Sequence, residues 1–172
     1  MTGIKKPKFT LLELIVVIFV LAILAVLASY LLLKQKREIS GRIGCTSNLI
    51  QLGLAIRMYA QENKEEFPYR PGRAGFEMLR SGGYLENCYM YTCRSTKDKI
   101  PDGSDLRTSQ VSYMYACALN EATSVDSGLA RDRDTNHSKY GNVLFVDGHV
   151  EGFVGANWTA SKNYLGSSNF SY

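Results

Sequence analysis

The chain has 172 residues, a formal net charge of +4, 45% hydrophobic residues and 21% charged residues. The charge is modest and mixed along the chain, with no basic block interleaved with aromatics, so no nucleic-acid face is indicated. Once a greasy N-terminal stretch is set aside, about 130 residues remain, enough for one globular domain with its own core and not comfortably for two.

The chain opens with Lys5-Lys6-Pro7-Lys8, continues as Phe9-Thr10-Leu11-Leu12-Glu13, and then runs apolar over residues 14–33 with Ser29 as an interruption. As a helix, about 20 such residues span about 30 Å, the thickness of a bilayer's hydrocarbon core. A carboxylate such as Glu13 costs roughly 2.5–3.5 kcal/mol near the centre of a membrane and less toward its edge. Such a cost calls for a positive partner on another copy of the chain. A secretory signal peptide has a shorter apolar core of about 7–15 residues and a small-residue cut site. A plain signal anchor carrying an incidental glutamate is the other reading. Lysines and arginines flank the run on both sides (Lys5, Lys6 and Lys8 before; Lys34, Lys36, Arg37 and Arg42 after), so charge alone does not orient it.

These residues resemble the amino terminus of type IV pilins and of type II secretion pseudopilins: the basic leader, Phe9, the Thr10-Leu11-Leu12-Glu13 that follows, and the helix beyond. The resemblance implies that a prepilin peptidase cuts between Lys8 and Phe9 and methylates the new amine of Phe9. It implies that Glu13 then pairs with the N-terminal ammonium of a neighbouring subunit as a filament grows. The family usually has glycine immediately before the cut, where this chain has Lys8. The N-terminus is placed in the cytoplasm by the resemblance. Loss of the leader removes three lysines, leaving a net charge of 4 − 3, or +1.

The helix is expected to continue beyond the membrane. Residues 47–65 contain no proline, and Leu49, Leu52, Ile56 and Tyr59 recur at three- and four-residue steps to form one apolar stripe. Gln61-Glu62-Asn63-Lys64 before Pro68 marks the stop. A helix from Phe9 to about Glu62 would be near 80 Å long, with Gly41 and Gly44 loosening its middle. Residues 67–103 are rich in turn formers, with a short helix expected at residues 76–80 and a short edge strand at residues 89–93. Residues 111–117 (VSYMYAC) have strand composition, and residues 120–137 read as a long polar loop. Residues 142–146 and 149–153 flank Asp147-Gly148 and predict a hairpin with a type I′ turn. The tail, residues 166–172, is rich in serine and asparagine and is expected to fray.

Four cysteines, Cys45, Cys88, Cys93 and Cys117, all follow the apolar segment, in what the resemblance makes the oxidising exterior. They allow three pairings, and the sequence does not choose among them. One possibility closes a short Cys88–Cys93 loop and ties the helix to the sheet through Cys45–Cys117. Free buried thiols and a zinc site are the other readings. Zinc is disfavoured because there is no C-x2-C spacing and both histidines lie far along the chain.

Asp132, Asp134 and His137, with Asp147 and His149 on the hairpin, group carboxylates and both histidines as a candidate metal site. Type II secretion major pseudopilins, which the chain resembles, hold a calcium ion in a loop of the head. Calcium takes six to eight oxygens, which the aspartates can supply in part, whereas the histidines suit zinc better. The simpler reading gives Asp147-Gly148 to turn chemistry and has His137 hydrogen-bond the hairpin backbone to pin the loop. The passage from His137 to His149 also resembles a recurring C-terminal signature of pilin-like proteins, which marks kinship without assigning a role. No G-x-S-x-G elbow, phosphate loop or H-E-x-x-H motif is present, and Glu65-Glu66 reads as a solvated helix end, so no enzyme is expected.

The expected fold is α+β: a leader (1–8), a transmembrane or filament-core helix (9–33), its amphipathic continuation (34–64), and a pilin-like head with an antiparallel sheet (65–172). The expected function is that of a structural subunit of a type II secretion pseudopilus or related filament, assembled from the inner membrane with the head periplasmic or extracellular. Expected partners are other copies of the chain, the prepilin peptidase, the inner-membrane platform with its ATPase, and the bilayer. The alternatives are a membrane-anchored extracytoplasmic binding domain that does not polymerise, and a tethered metal-dependent hydrolase using Asp132, Asp134, His137 and His149.

Overall fold

A computed structural model describes residues 10–155, 158, 170 and 171. The leader and the expected cleavage and methylation positions, Lys8 and Phe9, lie outside the described residues. The fold is α+β, with one long apolar N-terminal helix and a head built on a small antiparallel sheet. Two compact units divide at Arg37 and Glu38.

Helix α1 spans Leu11–Glu62. From Leu11 to Arg37 every residue is exposed, and the most apolar 18-residue window has a mean hydropathy of 3.2. This is the one helix among the described residues long and apolar enough to cross a membrane. Each large apolar side chain left in water forgoes about 1.5–3 kcal/mol of burial. Leu14 to Leu33 therefore need lipid or other apolar cover, as a single-pass anchor would provide.

Beyond Arg37 the same helix acquires a buried face. Cys45, Asn48, Leu49, Leu52, Gly53, Ala55, Ile56 and Ala60 are buried, and Tyr59 packs against the core, following the predicted stripe. Gly41 and Gly44 do not interrupt the helix. At Gly41 a β-carbon would collide with the Ser95 side chain, and at Gly44 it would crowd Arg94, so both glycines admit the 94–95 segment. The helix closes where the Glu65 N–H donates to the Ala60 carbonyl at 2.9 Å, with Lys64 and Glu65 both left-handed (φ 56° and 64°).

The sheet has strand order β4-β3-β2-β1-β5, with all neighbours antiparallel: β1 Tyr113–Ala116, β2 Gly128–Asp132, β3 Tyr140–Phe145, β4 Val150–Val154 and β5 Phe170–Ser171. Alternation along β3 separates its two faces. Leu144 joins the main core, and a β-carbon on Gly53 would press into it, so glycine lets the helix approach the sheet closely. Val143 and Phe145 point the other way, into a smaller cluster with Trp158. A second helix, α2 Arg73–Ser81, brings Phe76 and Leu79 into the main core and extends the short helix expected there.

Four local expectations are corrected. Residues 89–93 are not a strand; Cys88–Tyr91 is a 3₁₀ turn, because Asn87 caps it by accepting the Tyr89 N–H at 3.0 Å. The polar stretch 120–137 contains β2, a central strand. The hairpin forms, but its turn is not type I′. Gly148 N–H donates to the Phe145 carbonyl, and the left-handed position is Gly148 (φ 92°), as in a three-residue loop that ends in a glycine. Within the tail, Phe170 and Ser171 pair with β1, and the rest of residues 166–172 lies outside the described residues.

Two substitutions test this packing by thermal unfolding of the full chain in detergent. Leu52→Ala, at a fully buried position, is expected to cost about 2–5 kcal/mol. Gly148→Ala forces a side chain into left-handed backbone and is expected to cost about 1–2 kcal/mol.

Candidate functional site

The first locus is the start of α1. The Glu13 N–H donates to the Thr10 hydroxyl at 3.3 Å, and the Leu14 N–H donates to the Thr10 carbonyl at 3.2 Å. Thr10 is thus the N-cap and Glu13 the third helical residue, the spacing of a capping box. A carboxylate there also meets the positive end of the helix dipole, worth about 0.3–1 kcal/mol.

The second locus is a buried polar seam in the head. Strand β2 ends in Asp132, whose carboxylate is fully buried. Asn142, early in β3, donates to Asp132 Oδ2 through both its backbone N–H and its side-chain amide, each at 2.8 Å. Asn136 donates to Oδ1 at 3.1 Å and to the Ser112 carbonyl at 2.7 Å. The Asn142 amide oxygen accepts the Thr46 hydroxyl of α1 at 3.0 Å. The carboxylate therefore ties two strands, the loop after β2 and the helix. Burial pushes the Asp132 carboxyl above its usual range, against the opposing pull of the Asn142 N–H, His137 and the two amide side chains.

His137 follows directly from this loop and its side chain is fully buried. It does not pin the hairpin backbone as expected. Its Nε2 lies 3.6 Å from Cys93 Sγ and 4.0 Å from Asp132 Oδ2. Its Nδ1 lies 3.3 Å from Glu38 Oε1 on α1. Glu38 also meets Arg42 at 3.5 Å, and the Arg42 guanidinium sits 4.4 Å from the centre of the Tyr140 ring.

Cys93 is bonded to Cys45, 48 positions away in sequence. Cys88 is a buried free thiol and Cys117 a half-buried one. The pairing weighed from the sequence, Cys88–Cys93 with Cys45–Cys117, is therefore replaced by a single bridge from α1 to the segment after the 3₁₀ turn. Cys45, Cys93 and His137 bring three potential ligand atoms within 4.8 Å of one another.

The five-residue metal grouping does not assemble. Asp132 and His137 meet in the seam, whereas Asp134 is an exposed partner of Arg131. Asp147 and His149 pair with each other on the hairpin turn, where the His149 ring stacks on Phe145 at 4.4 Å. Arg57, which donates to the Val146 carbonyl at 3.2 Å, faces this turn. Arg57 and Cys45 are 12 residues apart on one helix, about 18 Å along its axis, so the turn and the seam are separate places. The seam's other members, Glu38, Thr46, Asn136 and Asn142, went unread in the sequence. The available signal was Asn142, an amide opening the apolar run of β3, which needs a buried partner.

Asp132→Asn turns an amide donor toward groups that are themselves donors, and is expected to cost about 1–3 kcal/mol in thermal unfolding. At Asp147, slight burial raises the carboxyl, but the His149 N–H and ring, with Arg57, bring it below the usual range. A lowered carboxylate stabilises the fold above its unfolded pKa and loses that contribution as pH falls through the folded value. Wild type is therefore expected to exceed Asp147→Asn in unfolding midpoint at neutral pH, with the gap closing in acid below the carboxylate range.

Comparison with protein-family models, with curated proteins and with solved structures returned no match.

Proposed function

We propose that the chain is a structural subunit of a type II secretion pseudopilus or related type IV pilus-like filament. In this reading α1 holds the subunit in the inner membrane until the leader is removed and Phe9 methylated. Subunits then pass into a helical filament whose core is made of like helices, driven by an ATPase on the assembly platform.

The observation that carries this reading is Glu13 at the head of a helix exposed all round through Arg37. The helix needs apolar cover, and like helices supply it by van der Waals packing. The carboxylate needs a counter-charge. The helix dipole offsets about 0.3–1 kcal/mol, against roughly 2.5–3.5 kcal/mol for a charge at the bilayer centre and less at the edge where Glu13 opens the helix. The ammonium of a neighbour's Phe9 would fill the gap, and pairing would set the axial register of subunits, since either charge alone is costly in a low-dielectric core.

A second reading, an anchored extracytoplasmic domain that does not polymerise, draws support from the Thr10 cap, which gives Glu13 a local use. Glu13→Gln tests the charge pairing. Glutamine serves in a capping box as glutamate does but carries no charge. Filament yield, read by shear fractionation and electron microscopy of cells with the matching assembly machinery, is expected to fall at least about tenfold, the equivalent of about 1.4 kcal/mol per subunit contact. Absence of filaments from the wild-type chain would leave the anchored domain, and assembly of Glu13→Gln at the wild-type level would remove the charge pairing from the filament reading. Mass spectrometry of the mature chain is expected to find methylated Phe9 at the N-terminus, and an intact leader beside an active prepilin peptidase would overturn the filament reading.

A further inference from the structure

We propose that Cys45, Cys93 and His137 form a two-state centre: a disulfide when oxidised, and a Cys2His site for zinc(II) when reduced. The two states exclude each other because they use the same two sulfurs. The inference concerns the head alone and does not depend on filament assembly.

The geometry already suits the ion. With Zn–S near 2.3 Å and Zn–N near 2.05 Å, a tetrahedral site separates sulfur from nitrogen by about 3.6 Å and the two sulfurs by about 3.8 Å. Cys93 Sγ and His137 Nε2 are 3.6 Å apart. Breaking the disulfide frees the sulfurs to separate, and Cys45 Sγ already lies within 4.8 Å of the other two ligand atoms. The Ser95 N–H donates to Cys93 Sγ at 3.4 Å, a contact that favours a thiolate.

The surroundings match as well. Metal-binding histidines usually present their second nitrogen to a carboxylate, which fixes tautomer and ring orientation. His137 Nδ1 faces Glu38 at 3.3 Å, and Nε2 is left for the sulfurs. In the oxidised state His137 Nδ1, Glu38 Oε1, Arg42 Nε and Asn136 Oδ1 are buried without a well-formed hydrogen bond. Coordination at Nε2 would place the proton on Nδ1 and direct it to Glu38. Two thiolates balance the charge of the ion, so the buried centre is neutral. Asp132 Oδ2 lies 4.0 Å from Nε2 and is held by the two Asn142 donors.

The chemistry balances. A dithiol gives two electrons and two protons to the Cys45–Cys93 bond and leaves as its own disulfide, producing two protein thiols. Zinc(II) then displaces both thiol protons and binds the two sulfurs and Nε2. Because all three residues are buried, exchange goes through local opening and is slow.

The test uses the full chain in detergent micelles, reduced with a water-soluble phosphine that becomes its oxide. Cobalt(II) is the spectroscopic probe and zinc(II) the competitor. Reduced protein is expected to bind one cobalt per chain, with thiolate-to-metal charge transfer and tetrahedral d–d bands that zinc abolishes, while oxidised protein shows neither. Removing the other thiols with Cys88→Ala and Cys117→Ala is expected to leave the bands intact. Glu38→Gln is expected to weaken binding about 10–100-fold, and His137→Gln more, with the oxidised disulfide still formed by thiol count. Bands that survive Cys93→Ser, that vanish with Cys88→Ala and Cys117→Ala, or that never appear would overturn the proposal. Should Cys93→Ser not fold, X-ray absorption of the zinc-loaded wild type decides. Two sulfurs and an imidazole support the site, and an oxygen-only shell overturns it.

Discussion

Asp132 ends strand β2 with a fully buried carboxylate on which three N–H donors converge, two from Asn142 and one from Asn136. A buried acceptor of this kind is costly unless it is satisfied, and once satisfied it fixes its neighbours. Asn136 is locked into the loop, so the next residue, His137, enters the seam. Asn142 is locked at the start of β3, and its amide oxygen takes the Thr46 hydroxyl of α1. The helix that carries Cys45 and Glu38 is thereby held in register against the loop that carries His137.

One helix serves two environments in sequence. Through Leu33 its side chains are uncovered and, Glu13 and Ser29 apart, apolar. From Gly41 to Ala60 its buried face mixes small and apolar residues, and Gly41, Gly44 and Gly53 mark where other groups come closest. Glu13 stands at the opening of the first part, capped by Thr10. The Thr10 cap and the helix dipole give that carboxylate a local role, and the filament proposal adds a counter-charge from outside the subunit.

The passage from His137 to His149 divides into two unrelated jobs. Its first half faces α1 near Cys45, where imidazole, sulfur and carboxylates meet. Its second half makes a turn whose glycine is required by backbone conformation, and whose Asp147 and His149 complete each other at the surface. Proximity in sequence suggested one metal site across both; the length of the helix keeps them apart.

Much was readable from local pattern. The apolar run, the stripe from Leu49 to Tyr59, and the hairpin around Asp147-Gly148 each follow from spacing and turn chemistry, because those signals lie within a few residues of one another. Strand β2 was not readable. Gly-Leu-Ala-Arg-Asp has no β-branched residue, and it becomes a strand because β1 and β3 offer edges on both sides. The Tyr-rich segment at 88–91 was misread because Asn87 outweighs strand propensity there. The Cys45–Cys93 bridge and its approach to His137 lay beyond the sequence altogether. Residues 48 and 44 positions apart meet only once a helix, a loop and a sheet have packed, and that packing, with the buried carboxylate at its centre, belongs to the tertiary structure.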